Sequence, residues 1–427
     1  MHPLKLSLLS LAIAAGVSGQ VCAAEDFSNL FTGGKTILDA RYRYEFVDQN
    51  AAPGKAALDH ANAQTLRTRV GFQTGQWYGL SSLVEADNVS HIGDEKFNST
   101  RNGQTQFSTV ADPDGSEINQ ALLRYDHKYG NAVAGRQRIN LDNQRFIGSV
   151  AWRQNEQTYD GALLQLKPIT GLTLTAAYID NINSIWGPEN GRYDNKTNPA
   201  NIDGHSQLFN AQYVLMPELT VTGYTYLLDL DNIATNAASA VGTLSSQTTG
   251  LRLTGAISGF TYAAEVAQQS DYGDNPNDLD SDYYLAELGY TVAGVGLKAG
   301  YEVLGGGDDG KAVGNQNLAF QTPLATKHAF QGWADVFLTT PADGIEDAYL
   351  GATAPLLGGT LQAVYHDFSA QQGGDNYGEE YDISYGHPIP GVKGLVALAK
   401  YANYDSADSA VTVDTEKFWL QLQYTYL

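Results

Sequence analysis

Lys35-Thr36-Ile37-Leu38-Asp39-Ala40-Arg41-Tyr42-Arg43-Tyr44-Glu45-Phe46-Val47 puts Leu38, Ala40, Tyr42, Tyr44 and Phe46 at one parity and Asp39, Arg41, Arg43 and Glu45 at the other. Successive side chains of a strand point to opposite faces, so this stretch reads as a strand between two environments, one apolar and one able to hold charge. The pattern recurs. Gln64–Gln73 sets Leu66, Val70 and Phe72 against Arg67 and Arg69, and Leu172–Ile179 sets Leu172, Leu174, Ala176 and Tyr178 against Thr173 and Thr175. Phe260–Ala267, Val295–Val303 and Phe418–Tyr426 repeat it, the last with Phe418, Leu420, Leu422, Tyr424 and Tyr426 opposite Lys417, Gln421, Gln423 and Thr425. No long helical period competes.

Connections between these segments alternate in length. Short turns such as Thr74-Gly75-Gln76, Lys167–Gly171, Met216-Pro217-Glu218, Gly255–Gly259 and Ala293-Gly294 take turns with long polar stretches near 48–63, 88–115, 140–157, 180–205, 229–246, 268–282 and 304–345. One short end and one long end is the layout of a transmembrane antiparallel β-barrel, with short periplasmic turns and long extracellular loops. Counting segments gives 18 strands; reading Gly332–Leu338 as a strand would give 19. Both chain ends should lie in the periplasm, which requires an even number, so an all-β barrel of about 18 strands is expected. A soluble sandwich or propeller would also alternate, but its strands would be shorter and its second face would not need charges.

Residues 1–24 read as a secretory signal peptide, and 25–427 as one barrel domain. Lys5 precedes the apolar run Leu6–Val17, and the small residues Cys22-Ala23-Ala24 lead into Glu25-Asp26, with cleavage expected after Ala24. The one cysteine of the chain falls in that segment, so the exported protein is expected to hold together without disulfides. Charged residues are 17% of the chain against about 25% in soluble domains. The 25 Lys and Arg face 47 Asp and Glu, a net charge of −22, which excludes a general nucleic-acid binder. Beyond the N-terminal segment no apolar run approaches the ~18–20 residues of a membrane-spanning helix.

Ten of the twelve arginines lie between positions 41 and 153: Arg41, Arg43, Arg67, Arg69, Arg101, Arg124, Arg136, Arg138, Arg145 and Arg153. If the non-apolar face is a lumen, Arg41, Arg43, Arg67, Arg69, Arg124, Arg136 and Arg138 line one wall of it, while carboxylates such as Asp274, Asp280, Asp282, Asp375 and Glu379 stand in loops. Pore-lining charge decides selectivity. The same arginines could instead pair with Glu45, Glu85, Asp87 or Glu117 and brace the wall, and both roles can hold together.

Gly135-Arg136-Gln137-Arg138-Ile139-Asn140-Leu141-Asp142-Asn143-Gln144-Arg145-Phe146-Ile147-Gly148, continued by Trp152-Arg153-Gln154-Asn155-Glu156-Gln157-Thr158-Tyr159-Asp160, resembles the signature of the alginate-export family of outer-membrane β-barrel porins. So does Phe330-Gln331-Gly332-Trp333-Ala334-Asp335 with Thr339-Thr340-Pro341 and the stretch from Gly344 to Tyr349. The resemblance implies an 18-stranded monomer in the cell outer membrane, in contact with lipid and lipopolysaccharide, and the alternating aromatic end Phe418–Leu427 resembles the signal by which the barrel-assembly machinery takes up such chains. It also implies a pore for passive diffusion or export of hydrophilic solutes, with anionic saccharides such as alginate favoured. Inward-folded loops would narrow that pore, and an arginine-rich constriction would contact the solute. Guanidinium groups for that contact are available at Arg136, Arg138, Arg145 and Arg153, beside the strand arginines already named. The competing reading is a structural or adhesive surface barrel with a plugged lumen.

Catalysis and resident ions find little support. His60, His91, His127, His205, His328, His366 and His387 show no spacing of nucleophile, base and orienting group. Asp278, Asp280 and Asp282 copy the first ligand positions of a calcium loop, yet Tyr283 stands where its glycine belongs and Gly289 where its closing glutamate belongs. Neither an enzyme nor a cofactor is expected.

Overall fold

The structure is a computed structural model that describes residues 26–188, 195–307, 310, 316–407 and 411–426. The signal segment 1–24, with its expected cleavage site, lies outside the described residues. After a one-turn helix, α1 (Asn29–Thr32), come β1 (Lys35–Gln49), β2 (Ala61–Gln73), β3 (Leu80–His91), β4 (Gly115–His127), β5 (Gly130–Gln137) and β6 (Thr158–Leu166). The wall continues through β7 (Leu172–Asn183), β8 (Asn201–Met216), β9 (Leu219–Leu228), β10 (Ser246–Ile257), β11 (Phe260–Asp271) and β12 (Asp280–Val292). It ends with β13 (Val295–Leu304), β14 (Ile345–Leu356), β15 (Gly359–Ser369), β16 (Asn376–Pro388), β17 (Leu395–Ser406) and β18 (Thr415–Tyr426).

Each strand pairs antiparallel with the next, and β1 also pairs with β18 in a register running from Leu38↔Tyr426 to Gln49↔Thr415. The sheet of 18 strands is therefore closed. Closure leaves no edge of unpaired backbone groups, which is the condition for spanning hydrocarbon with strands. Gly332–Leu338 adds no strand.

Burial is inverted relative to a soluble protein. On β1, Asp39, Arg41, Arg43 and Glu45 are no more than 7% exposed, whereas outward Val84, Leu123 and Leu350 are more than half exposed. The outward face carries tyrosines toward both ends, among them Tyr178, Tyr284, Tyr301 and Tyr381 near the long loops and Tyr125, Tyr213 and Tyr290 near the short turns, as at membrane interfaces. Asp280, Asp282 and Glu379, expected in loops, stand at outward positions at the loop ends of β12 and β16. At the short end three two-residue turns, Ser258-Gly259, Ala293-Gly294 and Leu357-Gly358, have positive φ at both positions. That is the type I′ geometry whose twist suits a hairpin, and glycine takes its second position without steric cost.

The inner face departs from simple polarity. In the loop-side half of the barrel Tyr224, Tyr226, Tyr283, Phe368, Tyr404 and Trp419 point inward and are buried by Phe146, Ile147, Phe320, Leu324, Trp333 and Phe337, all from the 138–157 and 305–344 connections. Phe146 lies 5.3 Å from Tyr283 and 5.4 Å from Tyr224, ring centre to ring centre, and Phe337 lies 4.7 Å from Phe368. These two long loops are thus the barrel's internal core, packed as a soluble domain packs its own.

The lipid-facing assignment can be measured. Leu350, near the middle of β14 and 61% exposed, should cost about 2–4 kcal/mol when replaced by arginine. Reversible guanidinium unfolding in lipid vesicles, followed by tryptophan fluorescence, reads this directly. A change below about 0.5 kcal/mol, the ordinary effect of a surface substitution in water, would mean that this face does not meet hydrocarbon.

Candidate functional site: the loop-filled lumen

The candidate site is built on the inward parity of β1 and β2. Arg41 and Arg67 are directly opposed in the β1–β2 register, with Arg43 and Arg69 one inward position further along each strand. All four are nearly or fully buried. What covers them is the 138–157 loop. Arg41 donates to the carbonyls of Trp152 at 2.9 Å and Ala151 at 3.1 Å. Arg43 donates to Trp152 O at 2.6 Å and to Gln421 Oε1 at 2.8 Å, and its guanidinium lies 4.1 Å over the Trp152 ring. The loop therefore meets the wall with backbone carbonyls and an aromatic face, both good partners for a guanidinium.

Carboxylates hold the other arginines. Arg67 pairs with Asp39, and Arg69 with Asp87 at 3.0 Å and Glu156 at 3.2 Å. Arg138 pairs with Glu85 at 2.7 Å and with Glu156, while Arg153 bonds Asp112 at 3.1 Å and also pairs with Glu45. Arg145 reaches across the lumen to Glu302 on β13 at 2.6 Å and to Gln331 of the other loop at 3.0 Å. Burial works against the Asp112 carboxylate, but Arg153 and Arg43 outweigh it and hold it below the usual range. Burial opposes Glu156 as well, and Arg69 and Arg138 outweigh it there. Bracing, one of the two roles open to these arginines, is thus present in the geometry.

Two of the arginines stand elsewhere. Arg124 faces inward at the short-turn end and bonds its neighbour Asp126 at 2.9 Å. Arg136 is corrected: it shares parity with exposed Ala132 and Ala134, while Val133 and Gln137 are buried, so it points to the outer surface. There it holds Asp160 with paired bonds of 2.8 and 2.9 Å. Arg138 does not share its face because β5 ends at Gln137 and the chain turns into the lumen.

Spare donors remain on the basic wall. Nε of Arg41 and both Nε and Nη1 of Arg67 make no hydrogen bond. Like charges directly opposed across a strand pair repel, and a buried donor without a partner costs about 1–3 kcal/mol. The opposed pair therefore keeps donor capacity that its present partners do not use.

The 305–344 loop is tied down on the far side of Trp152. His328 stacks on that ring at 4.4 Å and donates from Nδ1 to Asp335 at 2.7 Å, while its Nε2 accepts from Lys400 Nζ at 2.7 Å. Lys417 completes the joint, 2.8 Å from Asp335, and Lys400 sits 3.6 Å from the Trp333 ring centre. Lys400 and Lys417 lie near the end of the chain, beyond the arginine-rich segment. Their alternation marks them as inward, but the sequence has no local signal for the histidine they meet.

Toward the short turns the inner face changes character. Thr175, Thr222, Thr254, Thr353 and Gln362 are among the residues at inward positions there. Its charges are largely paired, as in Lys298 with Glu287 at 2.8 Å. A hydroxyl and amide vestibule thus leads to a charged, loop-filled zone.

A family model described as alginate export matches residues 36–306. The chain belongs to the alginate-export family. No curated protein matches it. Among solved structures the barrel is similar to Pseudomonas aeruginosa OpdO, with a TM-score of 0.68 and 15% identity over 94% of this chain and 99% of that one. It is also similar to OpdG of the same organism, with a TM-score of 0.67 and 15% identity over 93% and 100%, and to Acinetobacter baumannii OccAB4, with 0.67 and 13% over 92% and 98%. At such identities the likeness is one of fold. Family and fold together make the chain an outer-membrane barrel of the porin kind, a transport rather than an enzyme class.

The His328 joint has a defined pH response. Burial lowers the imidazole from 6.5 to about 3, against the opposing pull of Asp335. A depressed folded value means that the released histidine takes up a proton first. The joint is therefore at full strength above about pH 6.5 and weakens as pH falls from there toward 3. Protease cleavage within 305–344 should rise over that window and not between pH 7 and 8. In H328Q the rise should shrink. An unaltered acid profile in H328Q would separate the effect from this residue.

Proposed function

We propose that this member of the alginate-export family is a monomeric, passive outer-membrane pore whose solutes are hydrophilic and carry carboxylates, with anionic saccharides favoured. The single observation that carries the reading is the opposed pair Arg41 and Arg67, with three guanidinium nitrogens unused as donors. A solute carboxylate offers two acceptors in one plane, which matches the guanidinium fork better than a halide does. Arg138, Arg145 and Arg153 contribute by holding the 138–157 loop at the height of that pair. The threonine and glutamine vestibule supports the saccharide part, since hydroxyl and amide groups exchange hydrogen bonds with a polyol without a charge to desolvate. Delivery by the barrel-assembly machinery through β18, and contact of the outward tyrosines with lipid and lipopolysaccharide, complete the proposal.

A second reading, a surface barrel with a permanently plugged lumen, draws on the aromatic packing between the two inner loops and the wall. Planar-bilayer recording separates them. A pore gives discrete conductance steps with a reversal potential on the anion side, and replacing Arg41 and Arg67 together by glutamine moves that potential toward cations. Glucuronate should pass into proteoliposomes faster than glucose of similar size, and the double variant should narrow the difference. Silent bilayers from properly folded protein favour the plug. Steps with cation preference that the double variant leaves in place would overturn the carboxylate reading and leave the pore.

A further inference from the structure

At the short-turn end the chain ahead of β1 folds back onto the turn between β2 and β3. In that turn Trp77 and Leu80 exchange backbone hydrogen bonds of 2.9 Å, with Tyr78 and Gly79 between them at φ 50° and 81°. Directly opposed residues of an antiparallel pair share one face of the sheet. Leu80 is paired with Trp77 on one side and with outward Tyr125 of β4 on the other, so the Trp77 ring belongs to the lipid-facing row. Asp126 of β4 fixes the turn, donating its N–H to Gly79 O at 2.8 Å and accepting from Gln76 Nε2 at 2.8 Å. Phe27, just ahead of α1, meets the Trp77 ring edge to face at 5.6 Å, and Phe31 of α1 meets Phe27 at 6.3 Å. The segment joins β1 on the same outer side, because a Cβ at Gly34 would strike the ring of outward Phe72. Gly75 N donates to Leu30 O at 2.9 Å, and a Cβ at Gly75 would stand 2.1 Å from Asn29 O, so the approach needs glycine.

Packing against the barrel does not account for these aromatics. α1 buries none of its residues, and Phe27 and Phe31 stay 57% and 64% exposed beside exposed Tyr78 and Leu80. One helical turn is not stable alone in water, and a contiguous apolar set marks a contact surface where scattered residues would not. Its neighbours say what it meets. Along the outward row the aromatics continue through Tyr125, stacked on His127 at 6.4 Å, to Tyr129, 5.4 Å from His127, with Lys128 Nζ 4.6 Å over the Tyr129 ring. Further along the same strands Val70, Val84 and Leu123 face hydrocarbon. The eight short turns between β2 and β17 carry Lys128, Lys167 and Lys393 against Glu218 alone, in a chain whose net charge is −22. Aromatic rings beside snorkelling lysines, next to an apolar band, are the chemistry of the lipid headgroup level.

We infer that α1 and the β2–β3 turn form one interfacial foot, which stands among the phospholipid headgroups of the leaflet at the short-turn end. The occupant is phospholipid, with acyl carbons against Phe27 and Phe31 and phosphate facing the lysines of the neighbouring turns. The foot anchors the start of the chain in the plane of the membrane on the β1–β4 side, where Gly75 and Trp77 hold it. It stands apart from the pore reading, since Phe27, Phe31, Trp77 and Leu80 belong to the outer surface whether the lumen is open or plugged. The rival occupant is a soluble protein, which would need the same aromatics in water.

The test places a reporter on the foot by Phe31→Trp, in the full-length barrel in phosphatidylglycerol vesicles, with heat-modifiable gel migration showing that each variant is folded. The fluorescence that F31W adds to the wild type should be quenched about twofold more by lipid brominated near the headgroup than by lipid brominated near the chain ends. Iodide on both sides of the bilayer should reach it poorly. In F31W/G75A, where the new Cβ pushes Asn29 away, the added fluorescence should lose most of its lipid quenching and become open to iodide. A folded F31W quenched by iodide and not by brominated lipid would overturn the inference and leave the aromatics to a soluble partner. Lipid quenching that G75A leaves in place would overturn the single foot, because α1 would then reach the lipid without the turn. If G75A does not fold, F31W/W77A against W77A makes the same comparison, by removing the ring on which Phe27 leans.

Discussion

A guanidinium can neither face hydrocarbon nor be buried alone, and the first third of this chain is built around that constraint. Facing lipid costs about 2–4 kcal/mol for each arginine at mid-membrane, so Arg41, Arg43, Arg67 and Arg69 turn inward. An inward arginine covered by protein must then find partners, because an uncompensated buried charge costs about 3–5 kcal/mol. The carbonyls of Ala151 and Trp152 and the carboxylates of Glu45, Glu85, Asp87, Asp112 and Glu156 supply most of them. Loop placement follows from that demand. The 138–157 segment lies against β1 and β2 because that is where unpaired donors await its carbonyls, and Trp152 then offers its free face to His328 of the second loop.

The two walls treat their loops differently. On the basic side the contacts are numerous and charge-assisted, with Arg153 bridging Asp112 and Glu45 in one grip. On the acidic side, at Glu380 and Asp382 of β16, the loop offers backbone N–H groups, from Ala334 at 2.7 Å and Trp333 at 3.2 Å. Both loops are fastened, the first through guanidinium groups and the second through the His328 joint and its backbone N–H groups on β16.

How much of this could be read in the residues depended on the range of the forces involved. Strand number, lipid face and short-turn end were legible because alternation is a local pattern with a period of two, and each strand repeats it. Arg136 was placed on the wrong face because Ala132-Val133-Ala134-Gly135 has no clear polar and apolar alternation to fix the parity of β5, and a slip of one residue inverts every side chain. The inward aromatics Tyr224, Tyr226, Tyr283 and Trp419 were unexpected for another reason. A wet lumen predicts polar residues at those positions, and only the return of two distant loops makes them a core. The joint at His328 and the grip at Glu380 were beyond reach of spacing altogether, since their partners are 72 and 46 residues away along the chain.

The arginine network also has a narrow address along the chain. Arg41, Arg43, Arg67, Arg69, Arg138 and Arg153 and the carboxylates that answer them, from Asp39 to Glu156, all belong to β1–β5 and the two loops beyond β3 and β5. The ion pairs of that set form without the union of β1 with β18, which adds to them only the bonds between Arg43 and Gln421 and from Gln423 and Thr425 to Asp39, whereas Lys417 and Lys400 reach the second loop only from the last two strands. Assembly therefore has a natural order. A half-made sheet can zip its ion pairs and seat its first loop while still open, and the act of closing the cylinder brings up the groups that seat the second. The seam is the timer.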